Sequence, residues 1–368
     1  MSVLHEIILL SRYYGSNPEY VIGGGGNTSY KEGDSLWIKA SGIPLADIDE
    51  SGFLCLSRRK LDKISEAIYS KDPAKREEEV KADLMSAIID DKSKRPSVET
   101  SLHNLFNYKF VIHTHPTTVN ALLCSVNAKK IAEEIFDNEV MFVEYTDPGY
   151  TLFKKTKEVL DKHIEIYGRE PCIIFLQNHG MIVCGENAGD VYAYTDQITR
   201  TVSSRFFEKL PSLEFLAPRR GSQTIINRVK EYLNTKNLVS AFCSNKLIQI
   251  FVQNSEEFRR ISHPFTPDNI VYCKSEYLFS GGDAEKIIND IEAFGYRYGY
   301  FPKIIGLEKT GLLSAGNNEM SSKRSSEVFQ DMMKISFLSD NFGGPRFLNK
   351  KEIEFIDNWE AENYRRGL

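Results

Sequence analysis

A chain of 368 residues with 41% apolar side chains is long enough to bury two ordinary cores and should fold without staples. Its net charge of −5, with Lys and Arg interspersed among Asp and Glu, lacks the concentrated basic excess of a nucleic-acid binder. Six scattered cysteines without a CxxC pair suit reduced core thiols, and no stretch approaches the roughly 18 apolar residues of a membrane span, so the expectation is a soluble cytoplasmic protein.

The first fourteen residues carry apolar side chains at 3, 4, 7, 8 and 10, which is helical spacing and not the unbroken run of a signal peptide. The glycine run Gly23 to Gly26 follows, then two short strands at 28–31 and 36–40 joined by a turn at Glu32-Gly33-Asp34. Residues 59–92 read as helical, with the charged run 75–79 as a solvated face. Residues 96–106 read as a helix that Ser97 can cap, with Leu102, Leu105 and Phe106 as its apolar face. A β-rich strand at 109–116 is stopped by Pro116, and 119–124 resumes a helical pattern.

Next come a strand at 140–145, a turn at Asp147-Pro148-Gly149, a helix to about Tyr167, a strand pair at 172–176 and 181–184, and a helix at 188–210. Turn residues at 217–222 predict a boundary. This leaves a first domain at 1–218 and a smaller α+β region at 222–368, with strands at 247–252, 270–273 and 303–307. Strands and helices mix throughout, as in an α/β fold, without the regular alternation of a doubly wound parallel sheet. Leu176-Gln-Asn-His-Gly-Met-Ile-Val-Cys-Gly185 resembles Leu307-Glu-Lys-Thr-Gly-Leu-Leu-Ser-Ala-Gly316. Two readings stand: a degenerate repeat whose second copy has Thr310 in place of the histidine, or chance similarity over a short window.

The chemistry concentrates in a few of the seven histidines. His113 and His115 sit two apart on a strand, so both imidazoles face one side and can reach one metal ion, while Thr114 faces the other. His179, beside Gly180 in a turn between two strands, is the best third ligand; three protein ligands plus an open position is the catalytic arrangement for zinc. His5, His163 and His263 read as surface or packing residues. His103 lies one helical turn after Glu99 and can approach the site. Glu99, at a helix start, is placed to be a cap, a ligand or a base, since a helix N-terminus and a nearby cation both favour its ionised form. The loop from Gly23 to Ser29 offers unhindered backbone N–H groups suited to an anion, and Lys39-Ala-Ser-Gly42 is a second small-residue turn. Neither has the spacing of a Walker loop or a dinucleotide fingerprint.

Taken together, Gly26-Asn27-Thr28-Ser29, Ala40-Ser41-Gly42, Pro96-Ser97-Val98-Glu99, His113-Thr-His115-Pro116 and Asn178-His179-Gly180 resemble the class II aldolase/adducin family in order and content, over about residues 1–215. The longer pattern, with Ser97-Val-Glu-Thr-Ser-Leu-His103 and Tyr145-Thr-Asp-Pro-Gly149, is most similar to the aldolase part of bifunctional rhamnulose-1-phosphate aldolase/alcohol dehydrogenase proteins. The absent nucleotide fingerprint and the length of the chain lead to the expectation that the dehydrogenase activity is missing.

The resemblance implies αβα layers around a mostly antiparallel sheet and a homo-oligomer, commonly a tetramer with sites at its subunit interfaces. It implies Zn2+ or another divalent first-row metal on His113, His115 and His179, Glu99 as acid/base, and a sugar phosphate held by Asn27, Thr28, Ser41, Gly42 and Ser97. The implied reaction cleaves a ketose 1-phosphate of the rhamnulose or fuculose phosphate type to dihydroxyacetone phosphate and an aldehyde through an enediolate. Decarboxylation of a sugar-acid phosphate or epimerisation of a pentulose phosphate uses the same chemistry, and an adducin-like interaction module uses none of it. Three departures from the family pattern are visible: Val98 stands where many members carry a second hydroxyl, the stretch from Gly42 to Glu99 is longer than in compact members, and the proton-donor tyrosine has no counterpart around Phe136, which leaves Tyr145 as a candidate.

Overall fold

The computed structural model describes residues 3–359. Among them the chain forms two compact units, one built from 3–123 and 127–205, the other from 206–357 together with 124–126. The change at 206 precedes the turn-rich 217–222 stretch because the intervening segment is tied to the second unit. There, Leu216 N–H donates to Ser244 O (2.8 Å), Lys246 N–H to Ser212 O (3.2 Å) and Phe207 N–H to Asn341 Oδ1 (2.8 Å).

The first unit contains α1 (His5–Gly15), β1 (Asn27–Glu32), β2 (Ser35–Lys39), β3 (Phe53–Ser57), α2 (Arg58–Glu66), α3 (Pro73–Ala87), α4 (Thr100–Asn104), β4 (Phe110–Thr114), α5 (Thr117–Leu123), α6 (Ala128–Phe136), β5 (Met141–Val143), α7 (Tyr150–Tyr167), β6 (Ile173–Leu176), β7 (Gly180–Gly185) and α8 (Ala188–Ser203). Its strands form one sheet in the order β3-β2-β1-β4-β7-β6-β5. The sheet is mixed: its neighbours run antiparallel except β5 and β6, which are parallel because α7 carries the chain across between them.

On one face, Leu36, Ile38, Leu54 and Leu56 pack against Leu61, Ile64, Val80 and Leu84 of α2 and α3. Further along that face, Val111, Ile174 and Ile182 pack against Leu102, Phe106, Leu152 and Leu160. The other face meets α1 and α8. The charged run at 75–79 is not simply solvated: Arg76 and Glu77 are half-buried, Arg76 Nη2 donates to Thr151 Oγ1 (3.2 Å), and burial pushes the Glu77 carboxyl up. The predicted helix at 96–106 is shorter, because Ser97 turns the chain two residues before Glu99, which becomes the N-cap of α4.

The second unit contains α9 (Ser222–Thr235), β8 (Val239–Cys243), α10 (Lys246–Phe251), α11 (Ser255–Arg259), α12 (Pro267–Cys273), β9 (Leu278–Ser280), α13 (Ala284–Tyr298), β10 (Ile304–Leu307), β11 (Gly311–Gly316) and α14 (Glu319–Ser339). The strands expected at 247–252 and 270–273 are instead helices α10 and α12. Asn245 caps α10 by accepting from Ile248 N–H, while Pro267 and the Thr266/Asn269 capping box start α12.

The second sheet has the order β8-β11-β10-β9, with β9 and β10 parallel and the other pairs antiparallel. It reproduces β4-β7-β6-β5 in order and direction. The turns match as well. Asn178 N–H donates to Leu123 O (3.1 Å) and Lys309 N–H to Val252 O (2.7 Å), and both residues sit at φ 54°. Gln177 N–H reaches Val143 O as Glu308 N–H reaches Ser280 O. In this frame Phe242 stands opposite Leu313 as His113 stands opposite Ile182, and Thr310 takes the place of His179.

All six cysteines are free, and no helix among the described residues is long and apolar enough to cross a membrane.

Candidate metal centre

Three of the chain's histidines meet where β4 ends and β7 begins. Alternation along β4 puts His113 on the same face as Val111, toward α4, and the chain beyond the strand carries His115 to the same place. His115 is anchored through its own N–H to Tyr20 O (2.9 Å). His179 comes from the β6–β7 turn, where Asn178 takes a left-handed conformation and the Asn120 side chain donates to His179 O (3.3 Å). The three ring centroids lie 4.8, 4.9 and 5.2 Å apart, and one potential ligand atom from each residue falls within 4.8 Å of the others.

His113 is almost fully buried, and its Nδ1 lies 3.0 Å from Met181 O. A carbonyl only accepts, so Nδ1 carries the proton and the Nε2 lone pair faces the cluster. Nε2 of His115 lies 2.9 Å from it, and two nitrogens at that distance need a proton or a cation between them. These donors fit a divalent metal of the imidazole-binding kind.

Gly180 makes the crossing of β4 and β7 possible. A Cβ there would lie 2.4 Å from Thr114 O and 2.7 Å from His115 Cδ2. Gly180→Ala is therefore expected to lower stability by about 1–3 kcal/mol and to weaken metal binding, read by thermal melting and metal content. An alanine variant with unchanged metal affinity would contradict this account of the crossing.

Glu99 closes the cluster. Its Oε1 lies 3.5 Å from Nε2 of both His113 and His179, and its Oε2 accepts a short hydrogen bond from Asn27 Nδ2. Burial pushes this carboxyl up, and the imidazoles of His113, His179, His103 and His115, when they carry their protons, outweigh burial and bring it down to about 2. Asn27 pairs with His113 across β1 and β4, and its Oδ1 is buried without a hydrogen-bond partner, a polar atom aimed at nothing in the protein.

His103 lies beneath, its N–H bonded to Glu99 O (2.9 Å) and its Nδ1 to Ser29 Oγ (2.9 Å). Burial holds its imidazole down to about 3, so it is neutral. The unfolded chain takes up this proton near the ordinary value of 6.5, whereas the folded chain refuses it until about 3. This contribution to stability is therefore complete above pH 6.5 and shrinks as pH falls through that window, by at most about 1.4 kcal/mol per unit. Urea midpoints measured between pH 7 and 4 should show this slope, and His103→Gln should flatten it.

The remaining expected contacts fall in two groups. Ser97 is buried and its Oγ accepts from Glu99 N–H (3.2 Å), while Ser41 N–H donates to Arg95 O (2.8 Å), so the Ser41–Gly42 turn lies alongside the segment leading to Glu99. Thr28 is different. Its hydroxyl is on the opposite face of β1, 2.7 Å from Ser11 Oγ of α1, away from Asn27 and Glu99. The histidines set aside are elsewhere: His5 and His263 are exposed, and His163 is buried on α7 against Tyr167. Tyr145 follows β5, its N–H bonded to the Gln177 side chain (3.1 Å) next to the histidine turn. Sequence reading missed the Ser29–His103 bond, although Ser29 shares the face of Asn27 by strand alternation alone.

Among known proteins, the chain is 26% identical over 414 aligned residues to "Uncharacterized oxidoreductase YuxG" of Bacillus subtilis (strain 168), an alignment covering 99% of this chain and 58% of that protein. The chain thus spans little more than half the length of this relative. It is 28% identical over 184 residues to the L-fuculose phosphate aldolase of Methanocaldococcus jannaschii, covering 47% of this chain and 80% of that protein. Among solved structures, the N-terminal class II aldolase domain of a conserved protein from Thermoplasma acidophilum is 27% identical with a TM-score of 0.47, covering 55% of this chain and 93% of that one. The family model "Class II Aldolase and Adducin N-terminal domain" matches residues 5–204, a span that holds every strand of the first sheet and the whole histidine cluster. The chain belongs to the class II aldolase and adducin family.

Proposed function

We propose that the chain is a zinc-dependent carbon–carbon lyase that cleaves a ketose 1-phosphate of the rhamnulose or fuculose phosphate type to dihydroxyacetone phosphate and an aldehyde. The observation that carries this reading is the buried Glu99 carboxyl group, held by Asn27 and facing two of the three converging imidazoles. His113, His115 and His179 would hold the metal, which would supply Lewis-acid polarisation of a substrate carbonyl.

Glu99 then acts as the acid/base. Its Oε2 is fixed by the Asn27 amide, leaving Oε1 to deliver a proton to the enediolate carbon after the carbon–carbon bond breaks, which balances the proton lost from the hydroxyl that becomes the aldehyde. Asn27, Ser97, Ser41 and Gly42 contact the phosphoryl end. Thr28 is left out, since its hydroxyl is spent on Ser11. The lyase chemistry belongs to residues 1–218. Residues 222–368 are a degenerate second copy of half the frame, a reading supported by the matching strand order and turns. The exposed Leu9 and Tyr13 on α1 suit an assembly of several copies, a tetramer by family resemblance.

The test is to incubate metal-loaded protein with a panel of ketose 1-phosphates and their unphosphorylated sugars and to follow release of dihydroxyacetone phosphate and aldehyde. Cleavage of a phosphorylated sugar, abolished by chelator, is the expected result. Less than about 0.2 divalent metal per chain after metal-replete expression would sink the enzyme reading. Loss of carbon dioxide or inversion at one carbon, without cleavage, would move the chain to the decarboxylases or epimerases.

A further inference from the structure

The fold sets two cysteines face to face outside the histidine cluster. The register of β6 and β7 pairs Ile173 with Val183, and the next residues out, Cys172 and Cys184, stand opposite each other, with Cys184 N–H donating to Cys172 O (2.8 Å). Directly opposite residues of antiparallel strands project to the same face of the sheet. In a hydrogen-bonded pair their Cα atoms lie about 5.5 Å apart, a separation that a disulfide spans. Both thiols are free, and a charge on Cys172 is felt at Cys184.

The two cysteines differ in access. Cys172 is half-buried and its Sγ donates to the Tyr108 hydroxyl (3.2 Å), whereas Cys184 is fully buried, and burial pushes its thiol up. Lys31 works against that burial. Its side chain is buried on β1, its Nζ donates to Tyr108 O (3.3 Å), and its charge draws the Cys184 thiol down. Burial lowers the Lys31 amine to about 7, so near neutral pH it can take up a proton. In the second sheet the matching positions are Lys303 and Ala315, tied by the same bond from Ala315 N–H to Lys303 O (2.8 Å). The frame therefore forms without a thiol pair, and the pair in the first unit is free to serve chemistry.

We propose that Cys172 and Cys184 are a reversible redox pair, which a hydroperoxide closes into a cross-strand disulfide. The Cys172 thiolate attacks the peroxide oxygen and becomes a sulfenic acid as the O–O bond breaks; with hydrogen peroxide the leaving group departs as water. Cys184 gives its proton to Lys31 and attacks the sulfenic sulfur. The S–S bond forms as the S–O bond breaks, and the departing hydroxide recovers the proton from Lys31 as a second water. Two thiols thus lose two electrons and two protons to one peroxide, and a dithiol reductant reverses the step by exchange. The bond closes a ring over residues 172–184, the hairpin whose turn carries His179. The inference goes beyond the lyase reading and stands with or without it.

The test treats the full zinc-loaded chain with a slight excess of hydrogen peroxide, blocks the remaining thiols and cleaves after methionine with cyanogen bromide. Met181 lies between the two cysteines, and Cys172 is the sole cysteine of fragment 142–181. Fragments 142–181 and 182–320 should stay joined after peroxide and part on reduction with dithiothreitol, with two thiols lost per chain. Cys184→Ser should leave the fragments apart and let dimedone label Cys172 as the trapped sulfenic acid. Lys31→Met should slow joining by about tenfold or more. Wild-type fragments that separate after peroxide, or fragments that stay joined in Cys184→Ser, overturn the pair. Joining at the wild-type rate in Lys31→Met overturns the route assigned to the proton.

Discussion

Glu99→Gln is expected to keep metal at the wild-type stoichiometry and to lose turnover by about 10²–10⁴-fold, the range for removing a general acid/base. The substitution preserves shape and leaves an amide oxygen to accept from Asn27 Nδ2, so the three imidazoles keep their supports at Met181 O and on the histidine turn. It removes the carboxylate that would accept and return the substrate's proton. Metal content by elemental analysis and single-turnover cleavage separate the two effects. Nearly full activity in this variant would mean that another group moves the proton, and Tyr145 would be the first to examine.

His113→Ala should lose both metal and cleavage. His113 has its tautomer set by Met181 O and is almost fully buried. Removing the ring takes away one of three donors, leaves the Met181 carbonyl short of a partner and opens a void beside Glu99. The expected cost is about 1–3 kcal/mol of stability in the metal-free protein, beyond the loss of metal binding. Thermal melting of wild type and variant, both stripped of metal, measures that cost. A variant that still bound metal with wild-type affinity would remove His113 from the ligand set.

The sites were legible where a short-range rule decides geometry. Strand alternation gave the face of His113, and a glycine after His179 marked the turn that brings it in, whereas His115 lies one residue past the end of β4 and reaches the cluster through the chain beyond the strand. The same alternation rule separates Asn27 from Thr28, which was nonetheless grouped with the substrate contacts because the motif was read as a block. Helix or strand was not legible for the short apolar runs at 247–252 and 270–273, where periodicity does not discriminate and the caps at Asn245 and Thr266 settle the matter. The parallel β5–β6 pair depends on which edge the chain returns to after α7, a long-range choice with no local signal.

The second unit answers a question that the first cannot. It has the same four-strand frame and the same left-handed turn residue, with Phe242 and Thr310 where His113 and His179 stand in the first. There the crossing of strands is stabilised by packing and backbone hydrogen bonds, with no imidazole at those two positions. Ion capture is therefore not the event that nucleates this architecture. Unlike a zinc finger, whose apo form is a random chain, the demetallated protein should retain its circular dichroism spectrum and its cooperative melt, and rebinding should behave as docking to a prepared receptor, without the slow kinetics of coupled folding.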